Sequence, residues 1–135
     1  MMKISTRGRY AIRFMQDLAS QPEAGYCTLK SIAERQEISP KYLEQIAKSL
    51  ARAGVLETSH GRGGGYRIHG CAADYTVYDI LTIVEGSLRP VACLDAPENP
   101  CPRRDFCATL TLWTGLDGVI REYLQRYTIQ DLVWQ

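Results

Sequence analysis

A chain of 135 residues, 45 % hydrophobic and 23 % charged, has the composition of one folded domain with room for an appendage. No apolar run approaches the roughly 20 residues of a bilayer span, and charges at Lys3, Arg7, Arg9, Arg13 and Asp17 interrupt a beginning that a signal peptide would keep apolar. The net charge of +1 conceals an asymmetry: residues 1–70 hold eleven Lys/Arg against six Asp/Glu, and residues 71–135 hold five against nine. A basic half joined to an acidic half points to a polyanion-binding unit attached to something else. Five cysteines, an odd number, suit reduced thiols better than a disulfide framework. The expectation is a cytoplasmic protein with no membrane partner.

In chain order, Tyr10, Phe14 and Leu18 recur every fourth residue with Ala11, Met15 and Ala19 beside them, which predicts a helix over Thr6 to Ser20. Pro22 and Gly25 mark a loop, and Thr28 is placed to cap a short helix burying Leu29, Ile32 and Ala33. A third helix is bounded by Ser39 as N-cap, Pro40 at its first position and Gly54 just past its end. Leu43, Ile46, Ala47 and Leu50 form its apolar face, while Lys41, Gln45, Lys48 and Arg52 lie opposite. "VLETS" and "YRI" then read as two strands around "HGRGGG", a tip from which Arg62 projects. Its glycine spacing fits neither phosphate-binding motif.

Thr76 caps a fourth predicted helix with Val77, Ile80, Leu81 and Val84 inward and Gly86 at its end. A long fifth helix is expected from about Asp105 to Tyr127. There Trp113, Leu116, Ile120, Tyr123 and Tyr127 are spaced three, four, three, four, a heptad seam that predicts a helix–helix dimer interface. Gly115 and Gly118 near it weaken an isolated helix by about 1 kcal/mol each relative to alanine, which packing must offset. "TIQDLV" closes the chain as a short capped turn.

Three helices and a hairpin are the order of a winged helix-turn-helix. The predicted fold class is therefore mainly α with a small β-hairpin. Residues 1–72 form the DNA-binding region, 73–90 a connecting helix, 91–107 a cysteine-bearing loop, and 105–135 a dimerisation helix with its terminal turn. In this geometry the helix after the turn enters the major groove and the wing reaches phosphates or the minor groove. Lys41 and Arg52 suit phosphates, Tyr42 and Gln45 suit base edges, and Arg7 and Arg9 add backbone contacts. Thr28, Ser39, Pro40, Lys48, His60 and Arg62 complete the candidate face. A cationic helix face alone is more often merely solvated; here it coincides with a basic half and a glycine-rich wing. With two histidines, neither near a nucleophile motif, and no cofactor fingerprint, the chain does not read as an enzyme. A module that binds a non-DNA partner is the weaker alternative.

Cys93, Cys101 and Cys107 are separated by seven and five residues in a stretch of proline and charge. Structural zinc sites pair their ligands two to four residues apart, so the spacing argues weakly against zinc. A cytosolic disulfide would leave a third thiol over. Iron–sulfur clusters accept irregular spacing because a loop can wrap the cofactor. On chemistry alone a cluster, zinc and redox thiols all remain open. Cys27 and Cys71 read as partly buried small residues, and Tyr75 and Tyr78 as packing.

"MKISTRGRYAIRFMQDLA", "SIAERQEISPKYLEQIAKSLARAGVLETSHGRGGGYRI" and "TIQDLV" closely resemble the Rrf-type transcriptional regulators over nearly the whole chain. Tyr42 to Gln45 and the Gly63 to Tyr66 wing are the specific segments. The resemblance implies a homodimer that binds a two-fold operator in double-stranded DNA, as a repressor. It also implies the IscR/NsrR-like branch, in which three cysteines at this place hold an iron–sulfur cluster, 2Fe–2S ahead of 4Fe–4S. Cys93, Cys101 and Cys107 are then the cluster thiolates, and the signal is redox state, nitric oxide or iron and cluster status. Regulators of the same fold with a thiol or zinc switch are the alternative. The fourth ligand departs from the pattern: Leu110 stands where IscR-like members have histidine, and Arg9 where NsrR-like members have a carboxylate. His60 likewise replaces an arginine common before the wing. Asp95, Glu98, Asp105, His60 and His69 are the candidates left for the fourth position, besides a small thiol or water.

Overall fold

The structure, a computed structural model, describes residues 3–21 and 25–133. Pro22, expected in a loop, lies outside the described residues. The first helix, α1 (Thr6–Ala19), starts where the Ser5 hydroxyl accepts the Gly8 N–H at 3.0 Å. Ala11, Phe14 and Met15 make it the centre of the core, and α2 (Leu29–Gln36), α3 (Pro40–Arg52) and α4 (Val77–Glu85) all pack on it. Thr28 caps α2 as expected, its hydroxyl accepting the Ser31 N–H at 3.1 Å. The angle between α1 and α2 is fixed by a polar lock. Asp17, only 4 % exposed, receives Arg35 Nη2 at 2.7 Å and Gln36 Nε2 at 3.0 Å.

Ser39 precedes α3 but its side chain makes no capping bond, a departure from the expectation. Pro40 explains why the helix starts without one: its φ is pre-set and it brings no N–H to satisfy. Leu43, Ile46, Ala47 and Leu50 are buried as the pattern predicted. Strands β1 (Leu56–Ser59) and β2 (Gly65–Ile68) pair antiparallel, Leu56 opposite Ile68 and Ser59 opposite Gly65. Cys27 extends this pairing by exchanging two backbone bonds of 2.8 Å with Tyr66. Gly65 is required beside it, because at φ 145° a Cβ would collide with the Cys27 carbonyl.

A reciprocal box between Thr76 and Asp79 starts α4, and Gly86 ends it with φ 81°. The fifth helix, α5 (Leu110–Arg126), starts later than Asp105. After Pro102 the Arg104 and Phe106 amides close tight turns onto the Cys101 and Arg103 carbonyls, so no helical ladder forms until Leu110. The chain then doubles back. Ile129 N–H donates to the Tyr75 carbonyl and Val77 N–H to the Tyr127 carbonyl, each at 2.9 Å, and the Ile129 side chain is fully buried. The core therefore does not stop at residue 72: Ile80 of α4 and Ile129 of the tail join the same cluster as Phe14 and Leu43. Among the described residues no helix is long and apolar enough to cross a membrane.

Candidate DNA face and cysteine loop

The helical repeat of α3 puts Pro40, Lys41, Tyr42, Gln45, Lys48 and Arg52 in solvent together, because each alternates with a core anchor. Tyr42 is steadied by the edge of the Tyr10 ring, centroids 5.5 Å apart. Glu44, which a reading by cationic spacing passes over, shares this face and meets Lys48 at 3.5 Å. Ser39 is exposed with its hydroxyl free of capping, whereas the exposed Thr28 spends its hydroxyl on α2. His60 and Arg62 are exposed at the wing. There Gly61 at φ 87° and Gly63 at φ 73° make a turn that residues with a Cβ rarely adopt.

Arg9 is exposed and reaches Thr6 at 3.1 Å. Arg7 is half-buried instead, and its Nη2 donates to Ser49 Oγ of α3 at 2.7 Å. It thus joins the start of α1 to α3. Ser49 carried no sequence signal, since its part depends on how two helices cross.

Residues 87–109 form an irregular loop between α4 and α5. Cys93 lies in a tight 3-10 turn, Ala92–Leu94. The Cys101 amide donates to Asn99 Oδ1 at 2.9 Å, and Cys107 Sγ lies 3.4 Å from the Thr109 hydroxyl. All three thiols are free and half-buried. The Thr109 hydroxyl and amide, with the nearby Arg103 charge, hold the Cys107 thiol below the ordinary thiol range. Burial pushes Cys27 the other way, an effect that Arg35 partly offsets. Cys71 is exposed, contrary to its reading as a partly buried filler.

Three soft thiolates on one loop suit iron or an iron–sulfur cluster in donor chemistry. Among the described residues, however, no three Cys, His, Asp or Glu side chains converge as a ligand set. Of the candidates for a fourth position, Asp95 accepts from the Ser87 hydroxyl, Glu98 and Asp105 are solvent-exposed, and His60 is on the wing. His69 lies 3.9 Å from Glu57. None of them joins the three thiols.

The seam expected on α5 is divided. Trp113, Leu116 and Ile120 are half-buried, and Arg121 of the same helix covers the Tyr78 ring of α4 at 5.8 Å. Tyr123 is exposed and Tyr127 lies past the helix end. The apolar residues that face outward are Leu112, Val119 and Tyr123, at 60 %, 63 % and 51 % exposure. Beside them an apolar groove of about 430 Å³ runs between Ile4, Leu88, Val119 and Leu124.

The Rrf2 family model, described as an iron-dependent transcriptional regulator, matches residues 4–135. The Rrf2 protein of Nitratidesulfovibrio vulgaris is 37 % identical over 133 residues, covering 98 % of this chain and 87 % of that protein. The solved structure of CymR, the global cysteine regulator of B. subtilis, superposes with a TM-score of 0.77 at 34 % identity, covering 98 % of this chain and 96 % of that one. T. potens IscR superposes with a TM-score of 0.76 at 35 % identity, covering 96 % and 85 % of the two chains.

Proposed function

Because the chain belongs to the Rrf2 family of winged-helix transcriptional regulators, whose members bind DNA, we propose that it is a homodimeric repressor switched by an iron–sulfur cluster on Cys93, Cys101 and Cys107. The observation that carries this reading is the placing of three half-buried free thiols on an irregular loop between the DNA-reading unit and α5. The family model's description as iron-dependent and the likeness to T. potens IscR support it. A cluster held there supplies a group that oxygen, nitric oxide or iron shortage can alter. The chain's own part is to join the loop to the DNA face. Ser87 at its start donates to Asp95 within it, and Ser87 follows two residues after α4, which packs on both α1 and α3. Ordering or loosening the loop would then shift the equilibrium between DNA-binding and weakly binding arrangements. The cytoplasm is the compartment this reading requires.

Purification without oxygen, followed by a visible spectrum and iron and sulfide assays, tests the cofactor. Iron with acid-labile sulfide, and different DNA affinities of loaded and stripped protein, are expected. Absence of both elements from the anaerobic protein removes the cluster. The second reading is a thiol switch without metal, favoured by the lowered Cys107 thiol and by the lack of a converged ligand set. It is consistent with the likeness to CymR, the global cysteine regulator of B. subtilis. It predicts a colourless protein whose DNA affinity falls on mild oxidation and returns with a dithiol.

A further inference from the structure

We infer that Glu85, at the last turn of α4, is a positioning residue for the DNA face, acting through the first turn of α1 on Arg7. The Ser5 hydroxyl performs two tasks at once: it accepts the Gly8 N–H at 3.0 Å and donates its proton to Glu85 Oε1. The Ser5 N–H points to the other carboxylate oxygen at 3.4 Å. By taking the hydroxyl proton, the carboxylate fixes the rotor so that a lone pair faces the helix. The first turn of α1 has no acidic residue of its own, so the anion that its exposed N–H groups favour comes from α4. Gly8 is buried there, and a Cβ at that position would lie 2.5 Å from Glu85 Oε1. The turn and the carboxylate meet at a separation that a glycine leaves open.

Arg7 sits inside this capped turn. Its Nη2 bonds Ser49 Oγ at 2.7 Å, and the Ser49 hydroxyl donates at 3.3 Å to the Gln45 carbonyl. Its Nε is buried and has no hydrogen-bond partner among the described residues, so the Ser49 bond is the polar contact that ties the guanidinium to α3. The path from Glu85 to the recognition helix is thus Ser5, the first turn, Arg7 and Ser49. The inference rests on the reading of Arg7 as a DNA backbone contact.

The test uses full-length protein and a duplex that the wild type enriches from a random library, with affinity read by fluorescence anisotropy over a range of salt. Removing a carboxylate from a DNA-binding protein by itself tightens binding, because repulsion of phosphate falls. Positioning predicts the opposite sign for Glu85→Ala, a weakening of about five- to tenfold, the worth of a lost cap. Glu85→Gln loses the same charge but keeps an acceptor for Ser5, and binds at least as tightly as the wild type. In an Arg7→Ala background, Glu85→Ala weakens binding no further, and only the small gain from the lost charge remains. Ser5→Ala, which removes the other partner, gives the same loss and covers the case in which Glu85→Ala fails to fold. Unchanged or tighter binding by Glu85→Ala, a Gln variant as weak as the Ala variant, or full additivity with Arg7→Ala overturns the inference. Arg7→Ala separates the two readings. If it leaves affinity and salt slope unchanged, the DNA-contact reading of Arg7 fails and the inference falls with it. If it weakens binding and lowers the slope by about one while Glu85→Ala does not weaken binding, the inference alone fails.

Discussion

Cys107 and Cys27 show how far the surroundings of a thiol decide its chemistry. Cys107 is lowered first by the Thr109 hydroxyl, then by the Thr109 amide, and further by the Leu110 amide and the Arg103 charge. Cys27 is raised by burial in spite of Arg35. The thiolate is the nucleophile, so in metal-free protein near neutral pH Cys107 should react with iodoacetamide several-fold faster than Cys27. The sign of the pH dependence follows: the rate at Cys107 rises with pH, and its midpoint falls below that of an ordinary thiol. Thr109→Val, which keeps the shape and removes the hydroxyl, moves that midpoint upward and slows alkylation at neutral pH. Site-resolved mass spectrometry over a pH series measures both, and an unchanged Cys107 midpoint in Thr109→Val contradicts the assignment. The sequence shows which cysteines share a loop. It cannot show which carries the labile proton, since that depends on where a hydroxyl two residues away points.

At the scale of elements, α3 was legible because its pattern is local. Lys41, Gln45, Lys48 and Arg52 lie opposite Leu43, Ile46, Ala47 and Leu50, and the solvent-exposed and buried faces follow. The wing was legible for the same reason, since glycines mark its turn. The later start of α5 was not, because the amides that delay it close turns within a loop that has no periodicity. Nor were the long-range ties: Asp17 with Arg35, Arg7 with Ser49 and Ser5 with Glu85 depend on how helices cross. The tail lies between these cases. "TIQDLV" was readable as a capped turn, and Thr128 and Asp131 do cap it reciprocally. Its fully buried isoleucine was not readable, because Ile129, Leu132 and Val133 in six residues set no period that singles one of them out for the core. Ile129 lies in one cluster with Phe14 and Ile80, so truncation leaves a hole in the shared core. Ile129→Ala should cost about 2–5 kcal/mol. The urea midpoint should fall while the slope of the transition stays the same. A loss below about 1 kcal/mol, typical of a surface change, would show that the tail is a loose appendage.

At the scale of the molecule, α5 bears on the proposed homodimer and on where its interface would lie. The helix is 17 residues long and none of them is buried. Its outward positions include Leu112, Val119 and Tyr123, with Gly115 and Gly118 open to space nearby. Glycines weaken a lone helix but allow a partner's backbone to come close, so they suit this face if a second copy covers it. A stable interface buries about 800 Å² per partner; the apolar residues of α5 together with the Ile4–Leu88 groove form a continuous candidate for such a surface. The interface we predict runs through Leu112, Val119 and Tyr123, and the half-buried Trp113 and Leu116 serve the fold of each chain. Val119→Glu places an unpaired charge in the centre of that surface and should produce a monomer by light scattering without a comparable loss of thermal stability. Separated half-site readers lose the advantage of linkage, so affinity for a two-fold site falls by a factor on the order of a hundred or more. Affinity for a single half-site stays near the wild-type monomer value. Trp113→Ala acts the other way, lowering the unfolding midpoint by more than it shifts the dimer equilibrium. A Val119→Glu protein that remains dimeric places the interface elsewhere on the chain and leaves the outward face of α5 for another partner.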